Sequence, residues 1–200
     1  MIRELFEQDT FEEQFEIIDV ELCGEKYRIR EFNFHPLNAN KVWPGNTVFA
    51  GWLLGNLEEL KNKKIIELGA GSGILSIFLA KHGIDITTSD YNDTEIPVNI
   101  AYNCNLNGIS VIPHISHSWG ESIDFSVDFD IVVASDILLY VKQYGNLIET
   151  LKKLLEKPQS KFWLSNRRRI DTESSFLDMC TASGLSVQNI GPKVFEIKLN

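Results

Sequence analysis

The sequence is short of cysteine, histidine, basic residues and long apolar runs. Its three cysteines, Cys23, Cys104 and Cys180, lie far apart and form no C-x-x-C pair. That excludes a disulfide framework and a cysteine zinc site, and it fits a reducing compartment. The histidines His35, His82, His114 and His117 have no metal-ligand spacing, so they read as structural or surface residues and no metal is expected. No apolar run approaches the ~20 residues of a membrane span. Met1-Ile2-Arg3-Glu4 has neither the basic nor the apolar region of a signal peptide, so a cytoplasmic or nuclear location without a membrane partner is expected. Acids outnumber bases by 28 to 19, and residues 1–31 hold ten of the acids and four of the bases. An acidic arm does not suit a nucleic-acid backbone; it suits a basic protein segment, or solvent alone. Internal repeats, low-complexity runs and linkers are missing too, so 200 residues imply one full core, and a monomer is expected.

What is present centres on Lys63-Lys64-Ile65-Ile66-Glu67-Leu68-Gly69-Ala70-Gly71-Ser72-Gly73, with the apolar run Ile74 to Leu79 behind it. This reads as a buried strand, a glycine turn and a helix N-terminus. Gly69-Ala70-Gly71 begins like a dinucleotide fingerprint, but Ile74 stands where its third glycine belongs. No Gly-Lys-Ser/Thr follows, which excludes a P-loop. The pattern E-x-G-x-G-x-G resembles motif I of the seven-strand (class I) S-adenosylmethionine-dependent methyltransferases. In that family the turn lies beside the aminoacyl part and ribose of the cofactor. The resemblance makes Glu67, Gly69, Ala70, Gly71 and Gly73 the expected cofactor turn.

The rest of the chain alternates regularly. Phe15 to Leu22 and Glu25 to Phe32 read as a hairpin around Cys23-Gly24, with Tyr27 and Ile29 on an apolar face and Arg28 and Arg30 on a basic one. Residues 1–13 read as a short acidic helix or a frayed terminus. A helix is expected from Asn46 to Leu60, with Val48, Phe49, Trp52, Leu53 and Leu57 along one face. Further strands are expected at 64–68, 85–89, 111–116, 129–135, 161–166, 185–190 and 194–199. Helices are expected at 73–82, 94–107, 142–156 and 172–183, the last with Asp171 as N-cap. Strand–helix repetition implies a mostly parallel sheet with helices on both faces. The short Gly191-Pro192 connection makes the last strand antiparallel. The expected fold is thus α/β and Rossmann-like, a seven-stranded class I methyltransferase domain over 41–200 with an extension at 1–40.

Ligands of open α/β sheets sit outside the carboxyl ends of the strands. That rule selects Glu67 to Gly73, Asp90, Ser116 to Trp119, and Ser135 to Tyr140. Asp90 ends a strand nineteen residues after Gly71, where a carboxylate accepts ribose hydroxyls; Tyr91 beside it could pack on adenine. Trp119 fits an adenine wall and a core or lid residue equally well. Asp136 would face the methyl acceptor, drawing in a lysine ammonium and orienting its amine, or would serve as an N-terminal helix charge. Trp43, between Val42 and Pro44, fits a core residue or a cover over the cofactor. Arg167-Arg168-Arg169 fits an acidic substrate or loop solubility.

Taken together, Val42-Trp43-Pro44, Glu67 to Gly73, Asp90, Trp119-Gly120 and Ser135-Asp136 occur in an order similar to that of the non-SET protein-lysine methyltransferases. The resemblance covers about residues 40–200. It implies that Trp43, Gly69, Ala70, Gly71, Asp90, Trp119 and Ser135 contact S-adenosyl-L-methionine, with S-adenosyl-L-homocysteine as product. It also implies a protein substrate methylated on lysine, with Asp136 and Tyr140 as catalytic residues. One departure stands out: the family's D-x-x-Y is here Asp136-Ile137-Leu138-Leu139-Tyr140, one residue longer. Histidine, arginine or small-molecule acceptors, and a cofactor-binding module without turnover, remain the alternatives. A chain with little beyond its last strand favours a large acceptor docking at an open face.

Overall fold

A computed structural model describes residues 15–33, 41–167 and 172–200. The expected acidic segment 1–13, His35, Arg168, Arg169 and the Asp171 cap lie outside them. The chain opens with a hairpin, β1 (Phe15–Leu22) and β2 (Glu25–Phe32), turned at Cys23 (φ 55°) and Gly24 (φ 84°). Its register sets Asp19 opposite Arg28 and Glu21 opposite Lys26, so unlike charges face one another across the strands. The other face is apolar, and Leu22, Tyr27 and Ile29 are buried in the main core. Each fully buried side chain of this kind stabilises by about 1.5–3 kcal/mol, enough to hold a hairpin that would be marginal alone.

Next come α1 (Pro44–Leu54) and α2 (Leu57–Leu60). One helix was expected here; Gly55 and Asn56 divide it. Asn56 takes a non-helical backbone (φ −121°, ψ 18°), and its side-chain amide donates to the Trp52 carbonyl at 2.7 Å. Asparagine competes with the helix in this way wherever its side chain can bond nearby backbone. Val48 is exposed, contrary to expectation, while Phe49 and Leu53 are buried.

The sheet contains β3 (Ile65–Leu68), β4 (Ile86–Asp90), β5 (His114–Ser116), β6 (Ile131–Ser135), β7 (Lys161–Ser165), β8 (Leu185–Gly191) and β9 (Val194–Leu199). Their spatial order is β5-β4-β3-β6-β7-β9-β8, and β9 runs antiparallel to both neighbours. Strand β5 is three residues long where six were expected; Pro113 precedes it and has no amide to donate to a ladder. Helices α3 (Ile74–Lys81) and α4 (Glu95–Leu106) cover one face with α1. Helices α5 (Tyr144–Leu154) and α6 (Thr172–Ala182) cover the other. The start of the expected helix 142–156 is a separate 3-10 turn, Val141–Gln143.

Adjacent residues of the central strands enter opposite cores: Ile65 and Val133 on one side, Ile66, Val132 and Ala134 on the other. This is why the strands read as continuous apolar runs. Strand order reverses between β3 and β6, so their carboxyl ends flank the switch point.

Candidate active site

The glycine turn follows β3. Gly69, Gly71 and Gly73 all have positive φ (65°, 53° and 78°). At Gly69 a side chain is excluded twice over, because a Cβ there would also come within 2.7 Å of Ile137 Cγ2. The turn is pinned by Ala70 N–H donating to the Ser89 carbonyl at 3.1 Å, and by Gly71 N–H donating to Asp90 Oδ2 at 2.7 Å. Asp90 Oδ1 accepts the Tyr91 amide at 2.7 Å.

Glu67, at the end of β3, is buried among apolar neighbours, and Oε2 accepts both the amide (3.1 Å) and the hydroxyl of Ser76. Burial pushes its carboxyl up to about 8; the Ser76 bonds oppose that shift, and the nearby Asp90 charge adds to it.

Asp136 sits one residue past β6, buried, in the left-handed region at φ 53°. Its Oδ2 accepts the Gly45 amide and its Oδ1 the Arg167 amide, each at 2.8 Å. The carboxylate thus ties the start of α1 to the loop after β7. Strained backbone at such a place is held by its surroundings, and here the two amides supply that hold.

These parts enclose a cavity of about 660 Å³. It is lined by Trp43, Glu67, Gly69, Ala70, Gly71, Asp90, Tyr91, Trp119, Ser135, Asp136 and Tyr140, which are all of the expected site residues except Gly73. Gly73 instead caps α3, and a Cβ on it would press on Ile100 at 3.1 Å, so its smallness serves helix packing. Trp43 and Trp119 are half-buried, Tyr91 and Tyr140 exposed. His117, expected to be structural or surface, also lines the cavity: its amide donates to the Asp90 carbonyl at 2.8 Å, and burial lowers its imidazole below the ordinary range.

Ile137 and Leu139, within the expected stretch Ser135 to Tyr140, line the cavity as well, whereas Asn46 and Asn146 line it and were missed. Asn46 had a signal, being two residues beyond Pro44 in a first helical turn that faces the sheet's carboxyl end. Asn146 reaches the wall only because Gly120 lies against it: a Cβ on Gly120 would meet Asn146 Cγ at 2.7 Å. No local pattern announces such a contact.

The cavity suits a nucleoside bearing an amino-acid tail. Its volume is in the usual range for cofactor pockets, aromatic walls stand near Asp90, and the glycine cradle leaves no room for a side chain at Gly69. The Ser135 hydroxyl is buried beside it without a hydrogen-bond partner among the described residues. Buried polar groups are rarely left so, and a ligand polar group would complete it.

Residues 26–183 match the model of a family described as lysine methyltransferase. The chain belongs to the lysine methyltransferase family. It is 30% identical to the histone-arginine methyltransferase METTL23 of Xenopus laevis, over 78% of this chain and 68% of that one. With the protein N-terminal and lysine N-methyltransferase efm7 of Aspergillus fumigatus it shares 25% identity, over 88% and 75%. With the EEF1A lysine methyltransferase 3 of Xenopus tropicalis it shares 32%, over 74% and 66%. Among solved structures, the T. thermophilus 16S rRNA N2 G1207 methyltransferase (RsmC) with AdoMet and guanosine superimposes with a TM-score of 0.70 at 17% identity, covering 94% of this chain and 51% of that one. The magnesium protoporphyrin IX methyltransferase (ChlM) of Synechocystis with bound SAM does so with 0.58 at 16%, covering 78% of each. At those identities the likeness is one of fold, the class I methyltransferase fold expected from the sequence. This lysine methyltransferase family member is an S-adenosylmethionine-dependent methyltransferase.

Proposed function

We propose that the enzyme methylates the side-chain amine of a lysine in a protein substrate. The observation that carries this reading is the buried Asp136 carboxylate at the cavity wall beside Leu139 and the exposed Tyr140. The curated relatives named for lysine and EEF1A substrates support it. So does the acid-rich stretch 1–31 of the sequence, which suits a basic segment of a partner.

S-adenosylmethionine, when bound, supplies a methyl group on a sulfonium. The protein's part is positioning and proton handling. The Gly69–Gly71 backbone gives close approach, Asp90 accepts ribose hydroxyls, and Trp119 with Tyr91 borders the base. Trp43 closes the side of α1, and Ser135 offers its unpartnered hydroxyl. Asp136 draws the lysine ammonium to the mouth and, once the proton is lost to water, holds the neutral amine in line. The methylated ammonium that results would meet the same carboxylate. Alignment supplies most of the acceleration, and a carboxylate pinned by two amides aligns without reorganising.

A second reading, transfer to arginine, is favoured by the 30% identity to a relative named as a histone-arginine methyltransferase. A guanidinium holds its proton far more tightly than a lysine ammonium, so a site with one amide-pinned carboxylate at the acceptor end fits lysine better. Incubation with isotopically labelled S-adenosylmethionine and cell extract, then mass spectrometry of the labelled band, decides the acceptor. Label on lysine is expected; label confined to arginine or histidine overturns the proposal.

A further inference from the structure

We infer that Asn103 is a positioning residue that couples the amino-terminal hairpin to the S-adenosylmethionine turn. The inference rests on the reading that the cofactor lies against Gly69–Gly71. In an antiparallel pair, alternate residues of a strand turn their backbone groups away from the partner. On β2 those are Arg28 and Arg30, which would form an open edge. Helix α4 and its C-cap cover that edge with Asn99, Asn103 and the capping Asn107, spaced four apart and hence on one face.

Asn107 Oδ1 accepts the Arg28 amide at 3.1 Å, and its Nδ2 donates to the Arg28 carbonyl at 2.8 Å. Asn103 repeats the arrangement one step along, accepting the Arg30 amide at 2.8 Å and donating to the Arg30 carbonyl at 3.2 Å. Asn99 accepts Arg30 Nε at 2.7 Å and donates to the Arg30 carbonyl at 3.1 Å. The guanidinium itself lies between the rings of Phe15 (4.3 Å) and Tyr102 (3.9 Å). Three asparagines thus stand in for a third strand.

Of the three, Asn103 also reaches the glycine turn. It is fully buried, and its Nδ2 also donates at 2.9 Å to the carbonyl of Ser72, inside the glycine turn. The turn is therefore gripped from two sides. Asp90 holds the Gly71 amide, and Asn103 holds the Ser72 carbonyl one residue on. The three successive positive-φ glycines give this segment a wide choice of conformations, and these two grips select one. Hairpin order and cofactor affinity consequently share one side chain. By linkage, whatever orders the hairpin tightens cofactor binding, and the cofactor orders the hairpin by the same factor.

Asn107 is a comparison site: it makes the same strand bonds, and its Nδ2 also donates to the Asn103 carbonyl at 2.8 Å, but among the described residues its side chain does not bond to the turn. Asn103→Ala should raise the dissociation constant for S-adenosylmethionine by about tenfold, the scale of one lost buried hydrogen bond. It should raise the cofactor KM with little change in kcat, and speed hydrogen exchange at the Gly71 to Ile74 amides in the absence of ligand. Asn107→Ala should lower the melting temperature yet leave cofactor affinity within about twofold of the parent, since the Asn103 side chain keeps its own bond to the Ser72 carbonyl. In the unmutated protein, saturation with cofactor should slow exchange of the Arg30 amide far more than that of the Arg28 amide, a readout that survives even if Asn103→Ala does not fold. Equal effects of the two substitutions on affinity and turn exchange, or equal protection of the two amides, overturns the coupling. Failure of the unmutated protein to bind the cofactor in calorimetry would instead overturn the placement of the cofactor, and ligand-free exchange in the two variants would still judge the coupling.

Discussion

Asp90 and Asp136 make an instructive pair. Both stand at the carboxyl ends of parallel strands, both are buried, and each holds two backbone amides. The difference lies in where those amides come from. Asp90 binds Gly71 and its own neighbour Tyr91, all within one strand–helix–strand unit. Asp136 binds Gly45, 91 residues away, and Arg167, 31 residues away, and it does so from a left-handed backbone. Of these bonds, the two at Asp90 are local, and the two at Asp136 join parts that meet only when the whole sheet has closed.

If that contrast is right, removing Asp136 damages the most. Asp136→Ala leaves the buried Gly45 amide and the part-buried Arg167 amide without their acceptor, and with hydrogen bonds to a charged group worth about 1.5–3 kcal/mol the loss of stability should be at least about 1.5–3 kcal/mol. Methyl transfer should fall at least about 100-fold, because misplacement near 1 Å has that cost. Gly45→Ala should reproduce part of this without removing the carboxylate, since its Cβ would lie 2.5 Å from Asp136 Cγ. Chemical denaturation and kcat/KM measured on both variants check it. Full activity in Gly45→Ala would mean that the clamp does not set the acceptor end.

Glu67 tests the cofactor end by pH. Its folded-state value of about 8 lies above the ordinary 4.5. Between those limits the folded state binds the proton more tightly than the unfolded chain. Its contribution is therefore fully present below pH 4.5 and is lost as pH rises towards 8, roughly 5 kcal/mol in all. Denaturation of the parent and of Glu67→Gln at pH 5.5 and 7.5 should show a steeper decline in the parent. Parallel curves would show that Glu67 ionises normally.

The local character of the Asp90 bonds explains what was legible in the sequence. Gly69, Gly71 and Asp90 announce themselves by spacing, because one strand–turn–helix unit contains the geometry that needs them. The same holds for the sheet, whose strands were found through apolar runs and their breakers. What went unread is long-range. No pattern near Asn103 says that it will cover a strand 73 residues earlier, and none near Asn146 says that Gly120 will rest on it. Gly73 was misread for the converse reason: it keeps the motif's spacing, but its neighbour is Ile100 and not the cavity. On this view Asp90→Ala should be the milder carboxylate loss. It should weaken S-adenosylmethionine binding by about 1.5–3 kcal/mol, the worth of hydrogen bonds to a charged acceptor, in a protein that still folds. Calorimetric titration measures it, and unfolding of the variant would show that the cofactor end is no more local than the other.

The smallest effect is expected where the chain departs from D-x-x-Y. The extra residue puts Leu139, half-buried and on the cavity wall, at the third position after Asp136. Tyr140 follows at the rim with 43% of its surface exposed. A hydroxyl in that much water competes with solvent for every hydrogen bond it offers, which leaves a net worth near the low end of about 0.5–1.5 kcal/mol. Tyr140→Phe should therefore lower kcat/KM by less than about threefold, with the whole change in the protein-substrate KM, as for a group that only touches the docked acceptor. Leu139→Ala should cost more, since it opens the wall beside the amine. A loss of tenfold or more in kcat for Tyr140→Phe would mean that the acceptor draws the tyrosine inward. The acceptor end would then be completed by its substrate, whereas the cofactor end is already formed by the fold.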